Sequence, residues 1–167
     1  MKKVRRINNE GFSLVELIIV IAIMAILAAA LAPQLIKYID NSRKSTDVST
    51  GQSIATSVSV ALTDEAAYNA AFANATTAGY AYWISDCTTS ATEAFQKKVG
   101  EIISATPPTP KYRGTGTNPF DDFAIVIKKD ASNNLSFAIY PATKNASGYT
   151  VVDADMVYPT VGPNYAD

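Results

Sequence analysis

The stretch GFSLVELIIVIAIMAILAAALA, residues 11–32, decides the fold of this chain. From residue 12 onward it holds 19 apolar residues among 21, and the two exceptions are Ser13 and Glu16. At 1.5 Å per residue, a helix of this length extends about 31 Å, which matches the roughly 30 Å hydrocarbon core of a bilayer. Four basic residues precede the run and place its N-terminal end in the cytoplasm by the positive-inside rule: Lys2, Lys3, Arg5 and Arg6.

The composition of the 167-residue chain excludes several kinds of functional site. It contains no His and a single Cys, Cys87, which excludes a Ser-His-Asp triad, a Cys-His dyad and an intrachain disulfide. We find no glycine-rich phosphate loop and no nucleophile elbow, so we expect no enzyme, no cofactor and no metal site. After residue 11 the chain has 10 basic and 14 acidic residues, so we also expect no nucleic-acid binding by the isolated protein.

A basic head followed by an apolar run has three competing interpretations. A secretory signal peptide would be cut after Ala32, but the apolar region of such a peptide has only about 7–15 residues, and Pro33 would follow the cut. A plain transmembrane anchor explains the length and polarity of the run. It leaves Glu16 unexplained, because a carboxylate in a membrane helix costs about 2.5–3.5 kcal/mol unless it reaches back to the headgroups. No Lys, Arg or His that could pair with Glu16 lies between residues 11 and 37.

The third interpretation is a processing signal that stays attached to a structural protein. The segment Gly11-Phe12-Ser13-Leu14-Val15-Glu16 resembles the motif of type IV prepilins. In that motif a short basic leader ends in Gly, the mature chain starts with Phe, and the fifth mature residue is Glu. Pro33 lies where many type IV pilins have a helix-kinking proline. The resemblance covers about residues 5–40.

This resemblance implies a mechanism of processing and assembly. A prepilin peptidase would cut after Gly11 and methylate the new amino group of Phe12. That amine would then pair with Glu16 of a neighbouring subunit, in a dry environment that strengthens the Coulomb attraction. Small residues such as Ala25 and Ala28 would let the helices approach closely.

The implied function is that of a structural subunit of a type IV pilus, polymerised through its N-terminal helix and used in adhesion, motility or a related surface role. A pseudopilin of a type II secretion or DNA-uptake filament is the alternative, and the sequence favours it less. The implied partners are copies of the chain itself, the prepilin peptidase and the assembly machinery of the inner membrane. Before assembly the subunit would be a single-pass membrane protein with its head outside, and afterwards part of a cell-surface pilus.

The rest of the chain predicts an α+β fold. Apolar residues at steps of three or four continue the helix to about Leu62, with a kink at Pro33, and its amphipathic second half packs on a small antiparallel sheet. Residues 64–120 form a connecting region with a short helix at 64–74. In the same region the capping box Ser90-Ala91-Thr92-Glu93 predicts a helix from about residue 91 to residue 104.

Two strands are predicted from alternating apolar residues at 123–128 and 135–140, and a third at 148–152 follows a turn at 141–147. We expect this sheet to have one apolar face, turned toward the helix. The chain then divides into three parts: a leader at 1–11 that is removed, an apolar membrane and filament-core segment at 12–37, and a globular head at 38–167 that includes the amphipathic half of the helix.

Overall fold

The computed structural model describes residues 11–103, 106–114, 119–145, 148–151 and 153–166. The chain forms two compact units, which we call unit 1 (Met1–Ile39) and unit 2 (Asp40–Asp167). The described residues of unit 1 are all exposed, including its large apolar side chains. One helix in the described part of the chain is long and apolar enough to cross a membrane, and its most apolar window has a mean hydropathy of 3.0.

The long helix, α1, runs from Leu14 to Ala61. This confirms the predicted helix, whose expected ends at Phe12 and Leu62 lie within two residues of the observed ones. Pro33 is inside α1 and has no N–H to donate to the carbonyl four residues before it. The helix continues through this gap, and the kink at Pro33 stays a prediction.

The second half of α1 is rich in Ser and Thr, which are poor helix formers. Their hydroxyl groups are satisfied inside the helix, because six of them donate to the carbonyl four residues earlier at 2.9–3.1 Å: Thr46, Thr50, Ser53, Thr56, Ser57 and Ser59. The opposite side of the helix buries Ile54, Ala55 and Val58 almost completely. Tertiary packing therefore offsets the weak helix propensity of this segment.

Unit 2 has one principal core, and α1 supplies one wall of it. Two shorter helices follow α1 in the chain, α2 at Glu65–Asn74 and α3 at Ala94–Ile103. Asp64 caps α2, since its carboxylate accepts hydrogen bonds from two N–H groups of the first turn. The helix α2 contributes the small residues Ala67 and Ala71 to this core. The largest buried side chains come from α1, α3, the sheet and the turn after its first strand: Ile54, Ile84, Phe95, Phe123, Ile125, Ile127 and Ile139.

The sheet has four antiparallel strands in the order β1-β2-β3-β4. Their bounds are Tyr80–Trp83, Asp122–Lys129, Leu135–Asn145 and Gly148–Thr150. The antiparallel sheet and the α+β class are confirmed. Strand β1 was not predicted, because its four residues lie in the region that we expected to connect helices.

Strand β2 is buried on both faces, which corrects the expectation of a sheet with one apolar face. Six consecutive residues, 122–127, are buried. The side toward α1 joins the principal core, and the other side packs in a second cluster around Tyr140, with Trp83 and Met156 at its edge. In the sequence, a strand that is buried on both faces shows a continuous run of apolar residues instead of an alternation of apolar and polar ones.

Two predicted boundaries are wrong. Helix α3 begins at Ala94 and not near residue 91. The Glu93 carboxylate accepts a hydrogen bond from the N–H of Gln96, so Glu93 is the N-cap residue and the helix starts directly after it. Strand β3 continues through Pro141, where we predicted a turn. Ile139 exchanges both of its backbone hydrogen bonds with residues 157 and 158, away from β2. The backbone hydrogen-bonding groups of alternate residues in a strand point in the same direction, so position 141 also points away from β2. The missing N–H of Pro141 therefore removes no hydrogen bond to β2.

Candidate processing and assembly site

The predicted processing residues lie together where α1 begins. Gly11, Phe12 and Ser13 are outside the helix, and the first helical hydrogen bond runs from the N–H of Leu17 to the carbonyl of Ser13. Ser13 therefore occupies the N-cap position. Its hydroxyl accepts from the N–H of Val15 at 3.3 Å. The junction between Gly11 and Phe12 is thus non-helical chain that immediately precedes a capped helix.

Glu16 completes a capping box with Ser13. The Glu16 carboxylate accepts a hydrogen bond from the backbone N–H of Ser13 at 2.9 Å, which is the reciprocal half of the motif. A carboxylate in the first turn is also stabilised by the positive end of the helix dipole. Glu16 therefore has a partner within its own chain, although the sequence places no cation near it. Its cost in a lipid environment is correspondingly lower than for a carboxylate without hydrogen bonds.

The junction itself is sterically open. A Cβ atom built on Gly11 would meet no other atom within 4 Å, and the side chain of Phe12 is 92% exposed. Nothing in the described part of the chain therefore demands glycine at position 11. Pro33 lies inside α1, 17 positions after Glu16, so it does not contribute to this cluster.

A buried carboxylate, absent from the sequence predictions, lies in the other half of α1. Asp47 is fully buried, and its two oxygens accept from the N–H groups of Lys111 and Tyr112 at 2.7 and 2.8 Å. These bonds attach the loop between α3 and β2 to the helix. Burial raises the pKa of Asp47 above its ordinary value despite the two hydrogen bonds. The Tyr165 hydroxyl is buried close by, and burial together with the Asp47 charge raises the pKa of Tyr165.

Asp122 has a similar structural role at the start of β2. Its carboxylate accepts from the N–H of Phe123 at 2.8 Å and from both the N–H and the hydroxyl of Ser85. Burial raises the pKa of Asp122, and these hydrogen bonds oppose the rise. Lys144 closes the group from the solvent side, with its Nζ 3.0 Å from the Ser85 hydroxyl and 2.6 Å from the Asp86 carboxylate.

Cys87 is a packed core residue. It is 2% exposed, and its thiol donates to the carbonyl of Trp83 at 3.3 Å. Burial, reinforced by the nearby charge of Asp122, raises the pKa of Cys87 to about 12. At neutral pH this group is a thiol and a poor nucleophile.

The neighbouring aromatic residues also serve packing. The Tyr82 ring is buried against Phe95 with 4.6 Å between the ring centres, and its hydroxyl donates to Glu93. Tyr80 contacts Tyr82 edge-on and keeps 43% of its surface exposed. Four Asp residues of this unit accept separate hydrogen bonds, and among the described residues no three His, Cys, Asp or Glu side chains form a group that could hold a metal ion. The four are Asp121, Asp122, Asp153 and Asp155.

A family model matches the N-terminal part of the chain. Residues 6–32 match the family model described as the prokaryotic N-terminal methylation motif. This motif is the class III signal of type IV pilins, and the matched segment contains Gly11, Phe12 and Glu16. The N-terminal segment of the chain therefore carries the signal motif that type IV pilins have. No curated protein and no solved structure matches the chain.

Proposed function

We propose that this chain is the precursor of a type IV pilus subunit. A prepilin peptidase removes residues 1–11, the amine of Phe12 is methylated, and the mature chain remains in the membrane through the apolar part of α1. The observation that carries the proposal is the position of the methylation motif. The motif covers residues 6–32, which include the open junction and the first part of α1, and the apolar side chains of this helix from Leu14 to Ile39 are all exposed in the single chain. Such a surface requires lipid or other copies of the helix to cover it.

Assembly then depends on the charge created by cleavage. The freed amine of Phe12 is a cation that a neighbouring copy can bring to Glu16 away from water, where the attraction is stronger. The Ser13 N–H holds only one of the two oxygens of Glu16, so the other oxygen is available to that amine. Pairing sets the axial register between copies and favours the filament over the free subunit in the membrane.

A charge-specific test is available because Gln keeps the capping hydrogen bond. In Glu16→Gln the amide oxygen can still accept from the Ser13 N–H, but the negative charge is lost. We expect normal insertion and cleavage after Gly11, with little or no filament. The matched control is Ser13→Ala, which removes the capping hydroxyl at a cost of about 1 kcal/mol and keeps the charge. That variant should still assemble.

The measurement is the yield of sheared surface filament per amount of processed protein in the membrane, with N-terminal sequencing to locate the cut. Wild-type filament yield from Glu16→Gln at equal processing would refute the pairing mechanism. A mature N-terminus at Pro33, or an intact Met1, would refute the processing step itself.

The pseudopilin alternative differs in the length and place of the filament. The sequence favoured a surface pilin because a connecting region as long as residues 64–120 suits such a subunit better than a compact pseudopilin. These residues contain α2, β1 and α3, so the length of the region no longer separates the two functions. Long surface fibres that contain the protein support the pilin, whereas short fibres confined to the envelope support a secretion or DNA-uptake role.

A further inference from the structure

The position at which α1 begins decides which hydrogen bonds the peptide group between Gly11 and Phe12 can make. In an α-helix each carbonyl accepts a hydrogen bond from the N–H four residues later. If α1 began one turn earlier, the Gly11 carbonyl would therefore accept from the N–H of Val15. In this structure the Val15 N–H donates instead to the Ser13 hydroxyl, at 3.3 Å. The carbonyl of the bond that is cut in the proposed function is thus outside the helical hydrogen-bond pattern.

The other half of the capping box fixes the same turn. The Ser13 N–H donates to the Glu16 carboxylate at 2.9 Å, and the first helical bond joins the Leu17 N–H to the Ser13 carbonyl. Ser13 therefore uses its N–H, its hydroxyl and its carbonyl to set the first residue of the helix. No residue that the structure describes donates a hydrogen bond to the carbonyl of Gly11 or of Phe12.

Cleavage depends on access to the Gly11 carbonyl, because a peptidase has to reach and polarise the carbonyl of the bond that it hydrolyses. Hydrolysis adds one water to the carbonyl carbon, breaks the C–N bond to Phe12, and leaves the carboxyl group of Gly11 and the amine of Phe12. A carbonyl that accepts a helical hydrogen bond is less available to the donors of an active site. The Phe12 side chain is 92% exposed, and a Cβ atom on Gly11 would meet nothing within 4 Å, so the described chain leaves the junction accessible.

We propose that Ser13 is a positioning residue for this cleavage, because its hydroxyl holds the Val15 N–H and so keeps the Gly11 carbonyl available to the peptidase. The inference rests on the proposed function, which supplies the peptidase and the position of the cut. Gly11 acts in the same direction, since glycine is less favourable than alanine inside a helix by a factor of about five. A chain without the cap has its junction wound into α1 for a larger fraction of the time, and that fraction cannot be cut.

The test compares three forms of the full chain in lipid nanodiscs, the wild type, Ser13→Ala and Ser13→Asn, as substrates of a purified prepilin peptidase. Ala has no capping group, whereas Asn is as good an N-cap residue as Ser. Loss of the cap lowers the fraction of chains with an open junction by roughly fivefold, so KM should rise by that factor while kcat stays unchanged. Ser13→Asn should keep the wild-type KM. Mass spectrometry of the products locates the cut and gives the initial rates.

A second measurement separates capping from a direct contact between Ser13 and the enzyme. The carbonyl carbon-13 chemical shifts of residues 11–13, recorded without the peptidase, report how far the junction is helical. They should move toward helical values in Ser13→Ala and stay at the wild-type values in Ser13→Asn.

Two results would overturn the role of Ser13. A higher KM in either variant without a change in its shifts would mean that the enzyme contacts Ser13 directly, and an unchanged KM in Ser13→Ala would mean that the cap does not control cleavage. Either result leaves the proposed function intact. A wild-type chain that is not cut after Gly11 refutes the proposed function itself.

Discussion

The hydrogen bonds that Asp47 accepts allow us to predict how much the free energy of unfolding of unit 2 falls when this residue is replaced. Asp47→Ala removes the acceptor of two N–H groups that are partly shielded from water. A hydrogen bond to a charged group contributes about 1.5–3 kcal/mol. Part of this loss is offset, because the variant no longer buries a carboxylate and because the loop N–H groups can regain some water. We expect a net loss of about 2 kcal/mol for Asp47→Ala and about 1 kcal/mol for Asp47→Asn, which keeps one acceptor.

The assay is thermal and urea unfolding of a fragment that begins at Tyr38, followed by circular dichroism at pH 7. For a unit of this size, a loss of 2 kcal/mol lowers the melting temperature by about 6 °C. The matched control is Asp40→Asn on the exposed side of the same helix, where we expect a change within about 0.5 kcal/mol. Melting of Asp47→Ala within 1 °C of the wild type would refute the idea that Asp47 holds the loop.

Three further predictions concern the same unit. The fragment from Tyr38 should be a soluble monomer with one cooperative transition, because the principal core lies wholly within unit 2; gel filtration and calorimetry test this, and aggregation without a transition would contradict it. Gly51→Ala should lower the melting temperature, since the added Cβ would lie 2.5 Å from a methyl of Val157, a clash that outweighs the gain in helix propensity of about 1 kcal/mol. Burial raises the pKa of Asp47 and of Asp122 above the ordinary value for Asp. The protonated forms of these groups therefore contribute fully to the stability of unit 2 below about pH 4, and this contribution is lost as the pH rises through the raised pKa values. The contribution of these two groups to the free energy of unfolding should therefore increase as the pH falls from 7 toward 4, and less so in Asp47→Asn.

The features that the sequence predicted best are those with a strong local pattern. The apolar run and the steps of three or four residues identified α1 almost to its ends, and the alternation at 123–128 identified the middle of β2. The methylation motif was also visible, since the pattern from Gly11 to Glu16 is contained in one short segment, and the roles of its residues in processing and assembly stay predictions. Each of these signals is carried by neighbouring residues and needs no knowledge of the tertiary structure.

The missed features depend on residues that are distant in the chain. Strand β1 has only four residues and forms because it pairs with β2. Asp47 lies in a polar stretch of α1 with no local sign of burial, and its partners are more than 60 positions away. The capping box shows a different failure: the same Ser-x-x-Glu pattern was assigned at Ser90, where Glu93 instead caps the helix, and overlooked at Ser13, where both halves form.

The double burial of β2 has a consequence for how this protein can vary. A strand with one wet face accepts polar substitutions at every second position, whereas residues 122–127 offer no such position. Mutations that survive selection should therefore be scarce along this strand and concentrated on the exposed surface of α2 and at the polar turn 129–134. Related chains would then differ in the exposed residues of unit 2, while the buried strand beneath that surface keeps its sequence.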